Sequence, residues 1–337
     1  MISISNDIVE NTLSLFRQEI DKLIAKKKAK VKNLLIKPIE PDYSQLNKKQ
    51  KEQKQKQYNK RCNYYNIAMI DHNKKYIEYL LSKYDEIIYA KPSLLLTFEL
   101  EFEKIIPKQS ITKKFKDALL NAMDYDGWRD NFYPKYFHEI GIKACVYCNS
   151  QLAIVSNKTN NHFEIDHYKS KDKLPCFSTS FYNLYPVCGS CNRKKLNKEV
   201  LFDLYIDSNK NKSDFSFEIE KSSLANFLIS NNSQDLKIVF GEQDPSKSKF
   251  NETFKIEGIY ETQKDIAEEL IIKSKIYTEK YKQSLITSFD QLYKKGSIGS
   301  RIIIGNYIEE NEIHNRPLAK FTQDIAIQVG LLKRPLD

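Results

Sequence analysis

The chain has 337 residues, 41% of them hydrophobic, and a formal net charge of +10. That length and apolar content suit one large domain or two to three smaller ones, and they exclude a solvated tail. No run approaches the roughly 18–20 uninterrupted apolar residues of a membrane span, and residues 1–7 lack a basic-then-apolar leader, so the expectation is a cytoplasmic protein with no membrane contact.

From the N-terminus, Val9, Leu13, Phe16, Ile20 and Leu23 recur at three- and four-residue spacing, which predicts an amphipathic helix over about 6–28. Residues 22–61 hold 13 Lys and one Arg against three acids. Charge concentrated in this way suits a polyanionic partner, the alternative being a Lys-rich solvated helix. Pro38 and Pro41 precede the Lys/Gln-rich stretch Ser44 to Tyr58, which reads as an exposed helix or a mobile arm. Apolar patterns at Ile67 to Tyr84, at Leu94-Leu95-Leu96 after Pro92, and at Phe115 to Met123 complete a mostly helical N-terminal region, 1–140. Trp128, Phe132, Tyr133, Tyr136 and Phe137 are read as core and not as a base-stacking platform.

Beyond residue 200 the texture changes. Phe215 to Ile219, Leu236 to Phe240 and Phe254 to Ile256 read as short strands. A long helix is predicted from Gln263 to Lys294, closed by Gly296, then a shorter one over about 300–310 and a last one from Pro317 to Leu331. These form a C-terminal region, 201–337.

Between the two regions lies the chemistry. Six cysteines are too few for a disulfide scaffold, and four of them fall in two pairs, Cys145-Val146-Tyr147-Cys148 and Cys188-Gly189-Ser190-Cys191, with 39 residues between. Four thiolates in two knuckles complete a tetrahedral set for structural Zn²⁺, with no open position for catalysis. Cys62 and Cys176 are expected to be packing residues.

Beside the knuckles stand Glu164-Ile165-Asp166-His167, Asn183-Leu184, and Asn192 directly after Cys191, followed by Arg193, Lys194 and Lys195. Phosphodiester hydrolysis needs a base for water, a divalent ion at the phosphate, and cations to fix the backbone. His167 can take a proton near neutral pH. Asp166 and the amide oxygen of Asn192 are hard oxygen donors of the kind Mg²⁺ prefers when it keeps several waters, and Mn²⁺ could substitute. His162 and Glu164 are weaker candidates for the same site, each with a plain surface role as the alternative. His72, His138 and His314 read as structural, and Arg316 as a docking residue.

The order Cys-x-x-Cys, Asp-His, Asn-Leu, Cys-x-x-Cys-Asn and following Lys resembles the zinc-ribbon branch of the HNH (ββα-metal) endonuclease family over about 55 residues. The resemblance implies His167 as general base, Asp166 and Asn192 as Mg²⁺ ligands, Asn183 as the brace of the catalytic loop, and Lys195 as a phosphate contact with Lys194 and Arg193 nearby. Family members often carry His where this chain has Asn192. The expected fold class is α+β: a ββα-metal module at 141–200 on a four-cysteine zinc ribbon, flanked by the two regions above. Tyr136-Phe137, Gly141-Ile142-Lys143, Phe181 to Pro186 and Arg316 to Lys320 resemble, more loosely, HNH proteins found beside AAA-type ATPases, including the nuclease subunit of Septu-like antiphage systems. That implies an ATPase partner and a defence role. The expected substrate is DNA. The alternatives are an RNA-directed nuclease toxin, or a non-catalytic zinc-dependent nucleic-acid-binding or scaffold subunit.

Overall fold

The computed structural model describes residues 3–156, 160–198, 200, 202–206, 215–242, 249–289 and 298–333, and it mixes many helices with three two-stranded ribbons. The chain divides into two compact units that do not follow chain order. The first comprises Met1–Val9, Phe137–Asp166 and Pro186–Asp337, and the second Glu10–Tyr136 and His167–Tyr185. No helix among the described residues is long and apolar enough to cross a membrane.

The second unit is built from helices. The predicted N-terminal helix is two, α1 (Asn6–Leu15) and α2 (Arg17–Lys32), because Phe16 leaves helical geometry at φ −102°, ψ 6°. The apolar rhythm survives the break, so the sequence conceals it, and Ile20, Ile24 and Val31 carry the buried stripe onward. The Lys/Gln-rich stretch is an ordered helix, α3 (Lys48–Ala68). It is opened by a capping box in which Asn47 Oδ1 accepts from Gln50 N at 2.9 Å and Gln50 Oε1 accepts from Asn47 N at 3.1 Å. Then come α4 (Asp71–Ile88), α5 (Pro92–Ile105) with Pro92 in its first turn, α6 (Lys113–Met123) capped by Thr112, α7 (Tyr125–Asn131) and α8 (Tyr133–Ile140). Trp128, Phe132, Tyr133 and Tyr136 close on Phe181 with ring centroids 4.8–6.1 Å apart, and all are nearly inaccessible. The aromatic cluster is therefore core.

The first unit holds the ribbons β1 (Ile154–Ser156) with β2 (Asn160–His162), and β5 (Phe215–Ile219) with β6 (Ile238–Glu242), both antiparallel. The third ribbon, β3 (Glu164–His167) with β4 (Leu184–Val187), has residues in both units, and α9 (Gly189–Lys195) of the first follows. The strand expected at Phe254 to Ile256 is instead the junction of two short helices, Lys249–Phe254 and Ile256–Tyr260. Phe250 with Phe254 and Ile256 with Tyr260 are buried at i,i+4 spacing, a period that a three-residue window cannot display. The long helix is also two, Lys264–Ile276 and Glu279–Ser288, parted where Thr278 turns to cap the second by accepting from Tyr281 N. Its predicted end at Lys294 and Gly296 lies outside the described residues. The shorter helix is Ile298–Ile304, and the last is Ala319–Gln328, beyond which Gly330 takes a left-handed φ of 76°.

Candidate active site and metal centre

The four knuckle cysteines are buried, and their Sγ atoms all lie within 4.8 Å of one another. Four sulfurs about 2.3 Å from a central Zn²⁺ stand roughly 3.8 Å apart, so the set fits that ion with small adjustments. Burial pushes the Cys145 thiol up, while hydrogen bonding from Cys145 and the other knuckle thiols pulls Cys148 down. Four buried thiols this close can all ionise together only when a cation balances their charge. The first knuckle turns through Asn149, at φ 51°, whose amide nitrogen donates to Cys145 O at 2.8 Å. The second turns directly into α9, with Cys188 preceding the helix and Cys191 inside it.

Asn149 also anchors the C-terminal phrase singled out in the sequence. Its Nδ2 donates to Ile313 O at 3.0 Å, its Oδ1 accepts from Lys320 N at 3.1 Å, and its carbonyl accepts from Leu318 N. Arg316 is a docking residue, donating to Gly305 O at 3.0 Å and lying 5.4 Å over the Tyr307 ring.

Asp166 is 5% exposed, and its Oδ2 receives two partners, the Tyr147 hydroxyl at 2.6 Å and the Lys195 ammonium at 2.8 Å. Lys195 is thus beneath the surface and not at it, unlike Arg193 and Lys194, which are exposed. Lys194 donates to Phe254 O at 3.1 Å. Tyr147 comes from inside the first knuckle, and its ring stacks on Phe254 at 4.5 Å. Asn192, half-exposed on α9, donates through Nδ2 to Glu164 Oε2 at 2.7 Å. That bond assigns the amide: the nitrogen faces Glu164, which leaves Oδ1 as the acceptor atom. Gly189 makes room for this pairing, since a Cβ there would stand 2.9 Å from Glu164 Oε1. Glu164 therefore orients Asn192 and, among the described residues, is not paired with a lysine. His162, exposed, meets Ser156 Oγ at 3.2 Å.

In the second unit His167 is 6% exposed, with Nε2 3.0 Å from Ser178 O. A carbonyl only accepts, so Nε2 carries a proton, and in the neutral ring Nδ1 is the atom with the lone pair. Its ring packs 4.9 Å from Tyr125. Strand alternation accounts for the different surroundings of consecutive residues: Asp166 meets Tyr147 and Lys195, and His167 meets Ser178 and Tyr125. Asn183, wholly buried, closes the loop after His167 by accepting from Lys169 N at 2.6 Å and donating to Lys169 O and Phe177 O at 3.1 and 3.0 Å. Lys169 is tied in turn to Glu99 at 2.7 Å.

Tyr147, Ser178 and Tyr125 were not singled out from the sequence. Tyr147 had a signal, its place between the knuckle cysteines; the others come from segments whose approach leaves no local pattern.

Residues 145–198 match the HNH endonuclease family model, a stretch that begins at the first knuckle cysteine and includes Asp166, His167, Asn183 and Asn192. The chain therefore carries an HNH endonuclease domain there, which points to nuclease activity on nucleic acid. No curated protein and no solved structure matches the chain.

Proposed function

We propose that the chain is a Mg²⁺-dependent HNH endonuclease that hydrolyses phosphodiester bonds in DNA, with β3, β4 and α9 as its ββα-metal element on a Zn²⁺ ribbon. The HNH match across 145–198 carries the reading, because that stretch includes Asp166, His167, Asn183 and Asn192, to which the roles below are assigned. His167 accepts the proton of the attacking water at Nδ1, with Ser178 O holding the Nε2–H tautomer. Asp166 and Asn192 Oδ1 are the donors for Mg²⁺, which when bound supplies charge stabilisation to the phosphate and the departing 3′ oxygen. Tyr147 and Lys195 fix the Asp166 carboxylate, and Glu164 fixes the Asn192 amide. Arg193 and Lys194 meet the nucleic-acid backbone. The ATPase-linked antiphage setting implied by the outer phrases belongs to the same proposal; ATP hydrolysis that co-purifies with the tagged chain from its native cell tests it.

Plasmid, single-stranded DNA and total RNA, each incubated with the zinc-loaded protein with and without Mg²⁺, test the reaction. The expected result is cleavage of DNA in Mg²⁺ alone, slowed about 10²–10⁴-fold by His167→Ala with zinc content unchanged. Cleavage of RNA alone would replace the substrate with the toxin-like one. An alanine variant that cuts at the parental rate would remove His167 from the mechanism, and binding without any cleavage would establish the scaffold alternative.

A further inference from the structure

The charge excess of residues 22–61 is divided between two helices of the second unit that treat it differently. On α2 three of the six lysines are held by the fold: Lys27 and Lys30 both meet Asp124, and Lys28 meets Asp85 at 2.7 Å. On α3 the cations are not. Gln55, Tyr58, Cys62 and Tyr65 form a half-buried stripe at three- and four-residue spacing, which marks the docking face of the helix. Lys49, Lys56 and Lys60 fall on the opposite face, all exposed, and among the described residues no ion pair involves any of them.

The start of α3 adds an independent sign. Helix N-termini favour acidic side chains, since unpaired N–H groups make that end positive. Here the first four residues include Lys48, Lys49 and Lys51 and no acid. The capping box is built from Asn47 and Gln50, the uncharged counterparts of Asp and Glu. The sequence thus stacks cations on a positive helix end and withholds the anion that would relieve it. Local electrostatics set against the fold's own preference are expected where a partner supplies the missing charge.

We infer that α3 is a second nucleic-acid contact outside the HNH stretch, a helix that lays the face of Lys49, Lys56 and Lys60 along the phosphodiester backbone of duplex DNA. The eleven residue steps from Lys49 to Lys60 rise about 16 Å. Duplex DNA carries one charge per roughly 1.7 Å of axis, so each of the three ammonium groups finds a phosphate within that span. The inference takes only the identity of the polyanion from the nuclease reading, and its test does not use cleavage.

The experiment measures binding of a 30-base-pair duplex to full-length His167→Ala protein across a salt series, with and without Lys49→Gln, Lys56→Gln and Lys60→Gln together. A charge-matched control carries Lys221→Gln, Lys275→Gln and Lys280→Gln, three exposed lysines of the first unit. Circular dichroism confirms that each variant folds. The expected result is a fall of about 2.7 in the slope of log K against log salt for the α3 variant, and binding about tenfold or more weaker at 0.1 M salt. The control should move the slope by less than one. A parental slope in the α3 variant, or an equal loss in the control, overturns the inference even if the parent cleaves DNA. An α3-dependent slope in a protein that never cleaves sustains it while the nuclease reading falls.

Discussion

Lys195→Met isolates the contact that most closely joins stability to chemistry. The Lys195 side chain is 1% exposed and that of Asp166 6%, and their charged atoms lie 2.8 Å apart. Methionine keeps most of the stem's volume, so the repacking cost stays below about 1.5 kcal/mol. The larger effect is electrostatic. Removing one member of a buried pair leaves the other charge uncompensated, at a cost of roughly 3–5 kcal/mol, here towards the lower end because the Tyr147 hydroxyl still donates to Asp166. At 2–4 °C per kcal/mol for a body of this size, the melting midpoint of the zinc-loaded variant should fall by roughly 6–12 °C in buffer free of other divalent ions. Chelators cannot be used to reach that condition, since they would strip the cysteine cluster. Millimolar Mg²⁺ or Mn²⁺ should then restore more of the midpoint in the variant than in the parent, because the cation takes over the charge on Asp166 that the ammonium had balanced. Differential scanning fluorimetry over a metal titration reads both effects. A variant that melts with the parent would refute the buried pair. A midpoint that falls but ignores both ions would refute Asp166 as a ligand.

Two further outcomes follow from the same contacts. Native mass spectrometry should find one zinc per chain, and Cys148→Ser or zinc removal should abolish the folded first unit, since binding energies of about 10–16 kcal/mol are typical of such sites; a metal-free protein with an unchanged circular dichroism spectrum would contradict this. In the second unit, burial pushes Glu99 up but Lys169 and Lys108 hold its carboxyl below the usual range, and Lys27 and Lys30 do the same for Asp124. Both groups have folded values below their unfolded ones, so their stabilisation is complete above about pH 4.3 and is lost as pH falls through the depressed values. The single tryptophan, Trp128, buried in this unit, should report acid unfolding by a red shift, and Glu99→Gln with Asp124→Asn should weaken that pH dependence. An identical acid profile in the double variant would remove these groups from the account.

Legibility of the chain followed the range of the interactions. The knuckles, Asp166, His167, Asn183 and Asn192 stand out in the sequence because the ligands and base of the proposed reaction must be particular residue types at particular spacings. Helices with one clear apolar stripe, such as α6, were equally plain. The breaks at Phe16 and Tyr277 were hidden because two consecutive helices can keep one apolar rhythm across a bend. Lys195 was misplaced for another reason: nothing in Asn192-Arg193-Lys194-Lys195 tells which cation turns inward, and the answer depends on Asp166, 29 residues earlier. Tyr125 against His167 and Phe254 against Tyr147 join segments about 40 and 107 residues apart, beyond any local period.

The same long-range contacts decide whether the HNH stretch can act alone. In a fragment of residues 141–200 the four cysteines are all present, yet Tyr147 loses its stack on Phe254, Cys148 O loses the Tyr260 hydroxyl at 2.8 Å, and Asn149 loses its bonds to Ile313, Leu318 and Lys320. His167 loses the Tyr125 ring. Four buried hydrogen bonds at about 1 kcal/mol each, with about 2 kcal/mol for one buried aromatic, exceed the 3–5 kcal/mol that so small a core rarely surpasses. Zinc can still gather the sulfurs and Lys195 still meets Asp166, but Tyr147 loses the rings that fix it, and Asp166 loses a firmly placed second partner. The fragment should bind one zinc, show poorly dispersed amide resonances away from the knuckles, and cleave at least 10²-fold more slowly than the full chain, a loss of the order that follows from misplacing a catalytic group by about 1 Å. A zinc-loaded fragment that cuts as fast as the full chain would show that the 145–198 stretch positions its own chemistry and that these outer contacts serve stability alone.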